Sequence, residues 1–382
     1  GEVAAEHDVY LKRESSGWPS VAGLAPARVA TLCGFGPIAR ERGTPEEAVQ
    51  RSAALLTSRG WCSFFRLQVE SLGPIAEQAG KSMGSGPESE ADRGEIEFFR
   101  GASLFLQGDG IRALDHLDEA LRRIPEENSL CLGEAEAVFG LATYLEGGRE
   151  ETERWLEERL RTHPPLRETR AVRLRTIAVY QNLLHGDLAR AETFRRQMPG
   201  PEPDCRKDYV IAWVSYMQGL IRLHRFELDE AREALKPAVE RRFVHFKRAA
   251  VDSVFGSMLA GQLLGRFDEA QHARSQLREF LSGHDDPGSH YLAGSTEARF
   301  ALLEGRPDEA RRWLERATPP PAEVMLWWFE IPCVTWCRVL VAEGAAARLE
   351  EAEELLRRHA AVCEAHHNRL QLPGILCLLA LA

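Results

Sequence analysis

Three features that would identify common protein classes are missing from this sequence: a long hydrophobic run, a close cysteine pair and an excess of positive charge. No apolar run reaches the roughly 18–20 residues that a membrane-spanning helix needs, and we expect no signal peptide from the first residues given. The eight cysteines include no Cys-x-x-Cys spacing, and most lie in apolar runs, as is typical of free thiols in a reducing compartment. We therefore expect a cytoplasmic protein with no membrane contact.

The charge balance argues against nucleic acid as a direct partner. Forty-eight basic residues face 58 acidic ones, which gives a net charge of −10. Binding to a phosphate backbone by bulk electrostatics needs the opposite sign. Catalytic patterns such as an ordered Ser-His-Asp set or His-Glu-x-x-His are absent as well. We expect a chain that is not an enzyme, needs no cofactor and does not bind nucleic acid through this segment.

Alternating strand patterns are scarce, whereas apolar residues recur at helical spacing almost everywhere. The stretch "EGRPDEARRWLERA" at 304–317 repeats the "GRFDEA" of 265–270. Gly305 supplies the left-handed conformation that ends one helix, and Pro307 is tolerated at the start of the next. Asp308 and Glu309 complement the positive end of that helix dipole. The stretch is thus predicted to be a turn between two paired helices.

Comparable turns recur along most of the chain at intervals of 38 to 40 residues. An alanine follows most of them after five residues, where a small side chain lets two helices approach closely. A fixed period of helix pairs predicts a solenoid. We therefore predict an all-α, right-handed superhelix of antiparallel helix pairs. Its turns are expected near residues 108, 148, 186, 225, 265, 305 and 344.

The repeat is predicted to run as a single continuous solenoid over residues 93–382. Residues 1–92 lack the register and are predicted to form an irregular N-terminal cap of about four helices. The polar, Gly- and Ser-rich stretch "GKSMGSGPESEADRG" at 80–94 is predicted to be a loop.

The period and the Gly-x-x-x-Glu-Ala turn resemble tetratricopeptide repeats, stretched beyond their usual length. The C-terminal "LEGRPDEARRWLERA" and "LEEAEELLRRHAAVCEAHHNRLQLPGILCLLALA" resemble the MalT-like repeat region of large ATP-dependent LuxR-type transcription regulators. The resemblance implies a region that senses a small-molecule inducer or a protein partner. It also implies an NTPase domain before the repeats and a helix-turn-helix domain after them in the parent chain. The alternative is a stand-alone scaffold for protein–protein interaction.

The same resemblance implies where a ligand or partner binds. In tetratricopeptide-like pairs the first helix lines the concave face, and its groove positions fall about 13, 10 and 6 residues before each turn. Aromatic side chains beside a few polar groups suit a ligand or peptide groove. The predicted binding residues are Arg173, Thr176, Tyr180, Trp213, Tyr216, Asp252, Phe255, Ser295, Arg299 and Arg338.

Two patterns resemble nucleotide and metal sites. "GPIAEQAGKS" at 73–82 has six residues where a phosphate-binding loop has four, so we favour a helix end. His359, Cys363 and His367 are spaced i, i+4, i+8, with Cys377 as a conceivable fourth zinc ligand. Cys363 also lies on the apolar face, so we favour packing and predict no metal.

The stretch "MLWWFEIPCVTWC" at 325–337 concentrates three tryptophans. Aromatic residues fill gaps between helices, and they also form platforms for ligands. We favour packing for most of these rings and leave the ligand role open.

Overall fold

In the computed structural model, residues 45–83, 89–162, 168–198, 208–284, 286–319 and 328–382 are described. Every regular element in these ranges is helical, with one short 3₁₀ turn at Arg242–Val244. The α-helices are α1 (Pro45–Phe65), α2 (Val69–Lys81), α3 (Ser89–Leu106), α4 (Gly110–Arg123), α5 (Ser129–Thr162), α6 (Glu168–Leu184), α7 (Leu188–Arg196), α8 (Asp208–His224), α9 (Leu228–Glu240), α10 (Lys247–Leu263), α11 (Phe267–Ser282), α12 (Pro287–Leu303), α13 (Pro307–Leu314), α14 (Pro332–Glu343), α15 (Ala346–Ala365) and α16 (Leu372–Leu379).

The predicted turns are confirmed by the backbone. All glycines with positive φ in the described ranges lie at predicted turns, with φ between 68° and 89°: Gly108, Gly148, Gly186, Gly265, Gly305 and Gly344. Gly148 interrupts α5, which is therefore two helices joined at a kink. At Gly265 the amide bonds to the carbonyl of Gln262, and the next amide, of Arg266, bonds to Gly261. This pair of bonds satisfies the last carbonyls of a helix and reverses the chain.

The turn expected near Arg225 places its left-handed residue at Phe226, with φ 61°. Its backbone bonds match those of the glycine turns, because Phe226 donates to Leu223 and Glu227 donates to Arg222, both at 3.0 Å. A phenylalanine therefore holds a conformation that glycine holds in the other repeats. Its ring is 69% exposed, so packing does not account for its presence there.

The alanines that follow the turns are fully buried. Each sits where the second helix of a pair meets the first, and each has an exposed fraction of 0%: Ala113, Ala191, Ala231, Ala270, Ala310 and Ala352. The close approach predicted from these small residues is confirmed.

The described residues divide into two compact units. One contains the residues up to Ile177 with 198–210, and the other contains 178–197 with 211–382. In the first, each of α1 to α4 packs on the next helix along the chain. In the second, the same holds from α9 to α16, and α12 also packs on α14, the first helix of the next pair. Helices joined by tight turns and packed side by side are antiparallel. This is the α-solenoid arrangement that the sequence predicts.

The N-terminal predictions have a mixed outcome. The loop predicted over 80–94 is wrong at both ends, because α2 continues to Lys81 and α3 begins at Ser89. Glu90 and Asp92 in its first turn favour that start through the helix dipole. Residues 1–44 of the predicted cap lie outside the described residues, and the boundary at residue 92 stays a prediction.

Across the described ranges, helices are too short or too polar to cross a membrane.

Candidate functional site

The ten predicted binding residues lie on α6, α8, α10, α12 and α14, which are first helices of their pairs. Eight of them are buried, with exposed fractions of 5% or less, and only Arg299 and Arg338 are partly exposed. The helical count therefore selects inward-facing positions, but these side chains do not line an open channel. The contacts of these ten side chains therefore show whether they can bind a ligand.

In the first unit, Arg173 belongs to a buried layer of paired charges. Its guanidinium lies 2.9 Å from Glu134, which also accepts a hydrogen bond from Tyr209. Arg170 binds Glu136 through two bonds of 2.8 and 2.7 Å. Such pairs fix geometry, and they are weak evidence for a ligand site because each charge already has its counterpart.

The hydroxyl of Thr176 is also bound within its own helix. It donates to the carbonyl of Val172, at 2.8 Å. The role of Thr176 as a binding residue stays a prediction.

Four rings from α6, α8 and the loop after the 3₁₀ turn form an aromatic cluster in the second unit. The ring centroids of Tyr180 and Tyr216 are 6.5 Å apart, and those of Trp213 and Tyr216 are 6.0 Å apart. His245 packs on Trp213 at 4.4 Å and on Tyr216 at 5.7 Å. The helical count does not reach His245, because it precedes α10.

Asp252 is a buried carboxyl that connects this cluster to a distant part of the chain. The hydroxyl of Tyr216 donates to its Oδ2 at 2.8 Å, and the amide of Phe329 donates to its Oδ1 at 2.6 Å. Burial raises the pKa of Asp252 to about 7, against the opposing effect of the Arg248 charge. Burial also raises the pKa of Tyr216, so its hydroxyl stays protonated as the donor.

The chain immediately before α14, Trp328 to Ile331, runs through this region without forming a helix; we call it segment 328–331. Its backbone is extended at Ile331, with φ −127° and ψ 105°. All four residues are buried, with exposed fractions of 8% or less. A buried backbone needs hydrogen-bond partners, and this one finds them in side chains from other elements.

Four backbone groups of segment 328–331 are bound in this way. Besides the Phe329 amide on Asp252, the Phe329 carbonyl accepts from Arg299. The Glu330 carbonyl accepts from Arg248 at 2.5 Å. The Trp328 carbonyl accepts from the Gln371 amide at 3.1 Å. The backbone bends at Trp328 and Phe329 and is extended at Ile331, and in this conformation it presents its polar groups to α10, α12 and residue 371 together.

The side chain of Glu330 is bound as tightly as the backbone. Its carboxylate accepts from the hydroxyl of Ser295 and from Arg299, which lies 3.1 Å from Oε2. Glu330 has an exposed fraction of 0%. Two residues predicted from the repeat count thus form a carboxylate clamp on α12.

Aromatic contacts complete the arrangement. The Arg299 guanidinium lies over the ring of Phe255 at 4.9 Å, and the Arg248 guanidinium lies over the ring of Trp328 at 5.4 Å. Gly256 leaves room for Phe329, because a Cβ at that position would lie 3.0 Å from the Phe329 ring. We call the surface formed by Arg248, Asp252, Phe255, Ser295 and Arg299 the α10–α12 face.

Arg338 adds a further positive charge beside the clamp. In the described ranges its side chain hydrogen-bonds to Thr335 of its own helix, at 3.3 Å, and has no carboxylate within ion-pair distance. Burial lowers its pKa to about 9, and the charge of Arg299 acts in the same direction while Glu330 opposes it. Glu330 thus bonds to Arg299 directly and also attracts the charge of Arg338.

Sequence reasoning missed Arg248 and Glu330. Arg248 lies four residues before Asp252, so extending the count by one helical turn finds it. Glu330 stands in the aromatic stretch at 325–337. Within that stretch Trp328 and Trp336 are buried, and Trp336 packs on Trp313 at 5.4 Å between centroids. Packing is therefore confirmed for these two rings, while Trp327 lies outside the described residues.

The two other patterns do not converge on a site. Positions 73–81 lie inside α2, as the favoured helical interpretation predicts, and not in a loop that would cradle phosphate. His359 and Cys363 are buried, and burial lowers the pKa of His359 to about 4 and raises that of Cys363 to about 12. The described ranges contain no group of three His, Cys, Asp or Glu side chains placed to hold a metal ion.

Comparisons with known proteins show a likeness to solved structures only. No protein-family model matches the chain, and no curated protein matches it. The chain is similar to a Rap protein whose crystal structure was solved in complex with competence and sporulation factor. The two are 15% identical, with a TM-score of 0.46 over 100% of this chain and 99% of that one.

Proposed function

We propose that this chain is a non-catalytic sensing region that binds an extended peptide segment of a partner protein on the first helices of its repeats. The α10–α12 face is the centre of that site. Tyr216 and Trp213 extend it on α8, and Arg338 extends it on α14. Tyr180 belongs to the aromatic cluster behind it. Arg173 and Thr176 lie in the first unit and stay candidate binding residues of that unit alone.

The observation that carries the proposal is the way the α10–α12 face holds segment 328–331. Asp252, Arg299 and Arg248 bind a backbone amide and two carbonyls of a stretch of chain that is not helical. Backbone hydrogen bonds provide affinity for any extended peptide, and side-chain contacts provide selectivity. A peptide partner is therefore favoured over a small inducer.

We further propose that the region serves a bacterial transcription regulator of the MalT-like LuxR type and works in the cytoplasm. The resemblance of the C-terminal repeats supports this context. An NTPase domain before the repeats and a helix-turn-helix domain after them would supply the output, so this segment itself does not touch DNA. The alternative is a stand-alone scaffold that uses the same face. The full reading frame of the parent gene distinguishes the two, because only the regulator encodes a DNA-binding domain.

The test of peptide binding is a selection from a random twelve-residue phage library on the immobilised full chain. Enriched peptides are then titrated by calorimetry against the wild type and against three single alanine variants, at Tyr180, Trp213 and Arg299. We expect micromolar binding and a loss of at least tenfold for Arg299→Ala. The matched control is Arg311→Ala, which changes an exposed arginine on the second helix α13.

Two outcomes would overturn the proposal. One is a selection that enriches no peptide. The other is a set of peptides whose affinity is unchanged in all three folded variants, since that would place the binding surface elsewhere.

A further inference from the structure

We propose that segment 328–331 is a tethered competitor that occupies the peptide site of the same chain, and that an acidic, aromatic peptide displaces it. This rests on the proposed function and deepens it. It assigns the ligand a chemical class: an extended peptide in which a glutamate or aspartate follows an aromatic residue, as Glu330 follows Phe329. It also assigns the free chain a closed state.

Segment 328–331 is held largely by side chains of other elements. The turns between paired helices use backbone-to-backbone bonds, such as the two at Gly265. Segment 328–331 makes backbone-to-backbone bonds at its end, where the Ile331 carbonyl accepts from the amides of Val334 and Thr335. Four of its other backbone groups bond to side chains, those of Arg248, Asp252, Arg299 and Gln371. Side-chain donors and acceptors can release one extended chain and take another with the same groups. The α10–α12 face therefore treats this part of the chain as a peptide ligand.

Positive side chains surround Glu330. Among the described residues, Arg299 lies 3.1 Å from its Oε2, Arg248 binds its backbone carbonyl, and the charges of Arg338 and Glu330 attract each other. An incoming carboxylate can replace that of Glu330 on Ser295 and Arg299. Charge-assisted bonds of this kind are stronger than neutral ones.

A free peptide must outcompete a segment that is part of the same chain. A tether gives segment 328–331 an effective concentration on the order of millimolar, so a competitor needs contacts that the segment lacks. Arg338 offers one, because its side-chain bond is to Thr335 of its own helix. A peptide with a second acidic residue reaching Arg338 gains an ion pair that segment 328–331 does not make. This predicts that diacidic peptides bind better than a copy of the segment.

The release of segment 328–331 is an exchange of equivalent contacts. Trp328, Phe329 and Ile331 lose burial when they leave, and a ligand with aromatic and aliphatic residues buries the same area in their place. The chain has a closed state, with segment 328–331 on the α10–α12 face, and an open state without it. A peptide shifts the balance between them only if it binds the open state more tightly than the closed one. The site therefore selects peptides that match the segment in both shape and charge.

The experiment uses a fluorescein-labelled peptide that copies residues 326–332, Leu-Trp-Trp-Phe-Glu-Ile-Pro, and a matched peptide with Glu330→Gln. Fluorescence anisotropy gives their Kd for the full chain and for its Glu330→Ala variant, which weakens segment 328–331 and removes the carboxylate that Ser295 and Arg299 bind. We expect the copied peptide to bind Glu330→Ala at least tenfold more tightly than wild type. The gain should disappear in the double variant with Arg299→Ala, and the glutamine peptide should bind about tenfold more weakly.

A second measurement keeps the proposal testable if Glu330→Ala does not fold. Hydrogen exchange on the wild-type chain is followed by mass spectrometry with and without saturating labelled peptide. We expect exchange at the amides of 329–331 to rise by at least fivefold when peptide binds. Binding with unchanged or slower exchange there would overturn the tethered-competitor proposal and leave the peptide-binding function standing. No binding of the copied peptide to any variant, together with a failed phage selection, would overturn both.

Discussion

Phe226 holds the left-handed conformation that glycine holds at the other turns, and the cost of this can be measured. We compare Phe226→Gly with Phe226→Ala, because both remove the ring and differ only in backbone preference. Left-handed φ costs an ordinary residue about 1–2 kcal/mol. Glycine offsets about 0.5–1 kcal/mol of this advantage, because it loses more conformational entropy on folding than alanine does. We expect Phe226→Gly to be more stable than Phe226→Ala by about 1 kcal/mol.

The cost of a left-handed backbone can also be measured at Gly265, which has φ 72° and the same pair of backbone bonds. A Cβ added there meets nothing within 4 Å, so Gly265→Ala changes the backbone term alone. We expect Gly265→Ala to lose about 1 kcal/mol relative to wild type. The control is Gly374→Ala, because Gly374 lies inside α16 with open space around it. There alanine should stabilise the helix by up to about 1 kcal/mol.

Urea unfolding followed by far-UV circular dichroism measures all four variants. The three positions belong to the second unit, so its transition is the one to compare. The reasoning would be refuted if Phe226→Ala were as stable as Phe226→Gly, or if Gly265→Ala and Gly374→Ala changed stability in the same direction.

Three further predictions concern the site. Because burial holds the pKa of Asp252 near 7, the folded chain binds its proton more tightly than the unfolded chain does. Stability should fall between about pH 4 and pH 7 and then level off. Asp252→Asn should remove the part of this pH dependence that Asp252 causes. If the urea midpoints of wild type and variant changed in parallel with pH, the raised pKa of Asp252 would be contradicted. Gly256→Ala should cost about 1–3 kcal/mol in urea unfolding by crowding Phe329, and a neutral result, as at Gly374, would contradict the contact. Arg299→Ala should cost about 3 kcal/mol, because it leaves a buried carboxylate with one partner. A change below the error of a thermal melt would argue against the clamp.

The turns could be predicted from sequence because each depends on residues close together in the chain. A left-handed glycine and a buried alanine five residues later leave a local signature, and Gly265 with Ala270 shows it clearly. Phe226 shows the limit of that signature. The period places the turn near 225, but no residue preference marks Phe226 as the left-handed position, because phenylalanine disfavours that conformation.

The candidate site was predictable only in part. Counting back from the turns finds Asp252 and Ser295, because helical geometry fixes which side of a first helix faces inward. The count does not reveal what covers that side. The Phe329 amide meets Asp252 across 77 positions of sequence, and a contact at that distance follows no period. This is why residues expected to line a groove are buried under the chain itself.

The central claim is that the α10–α12 face is the peptide site, and photo-crosslinking locates the ligand most directly. The peptide copying residues 326–332 is made with benzophenone-phenylalanine at the position of Phe329 and irradiated with the full chain. Crosslinked residues are then mapped by mass spectrometry. The account predicts crosslinks on α10 near Phe255 and on α12 near Arg299, suppressed by an excess of unlabelled peptide. Crosslinks confined to the second helices α11 and α13, or insensitive to competitor, would contradict it.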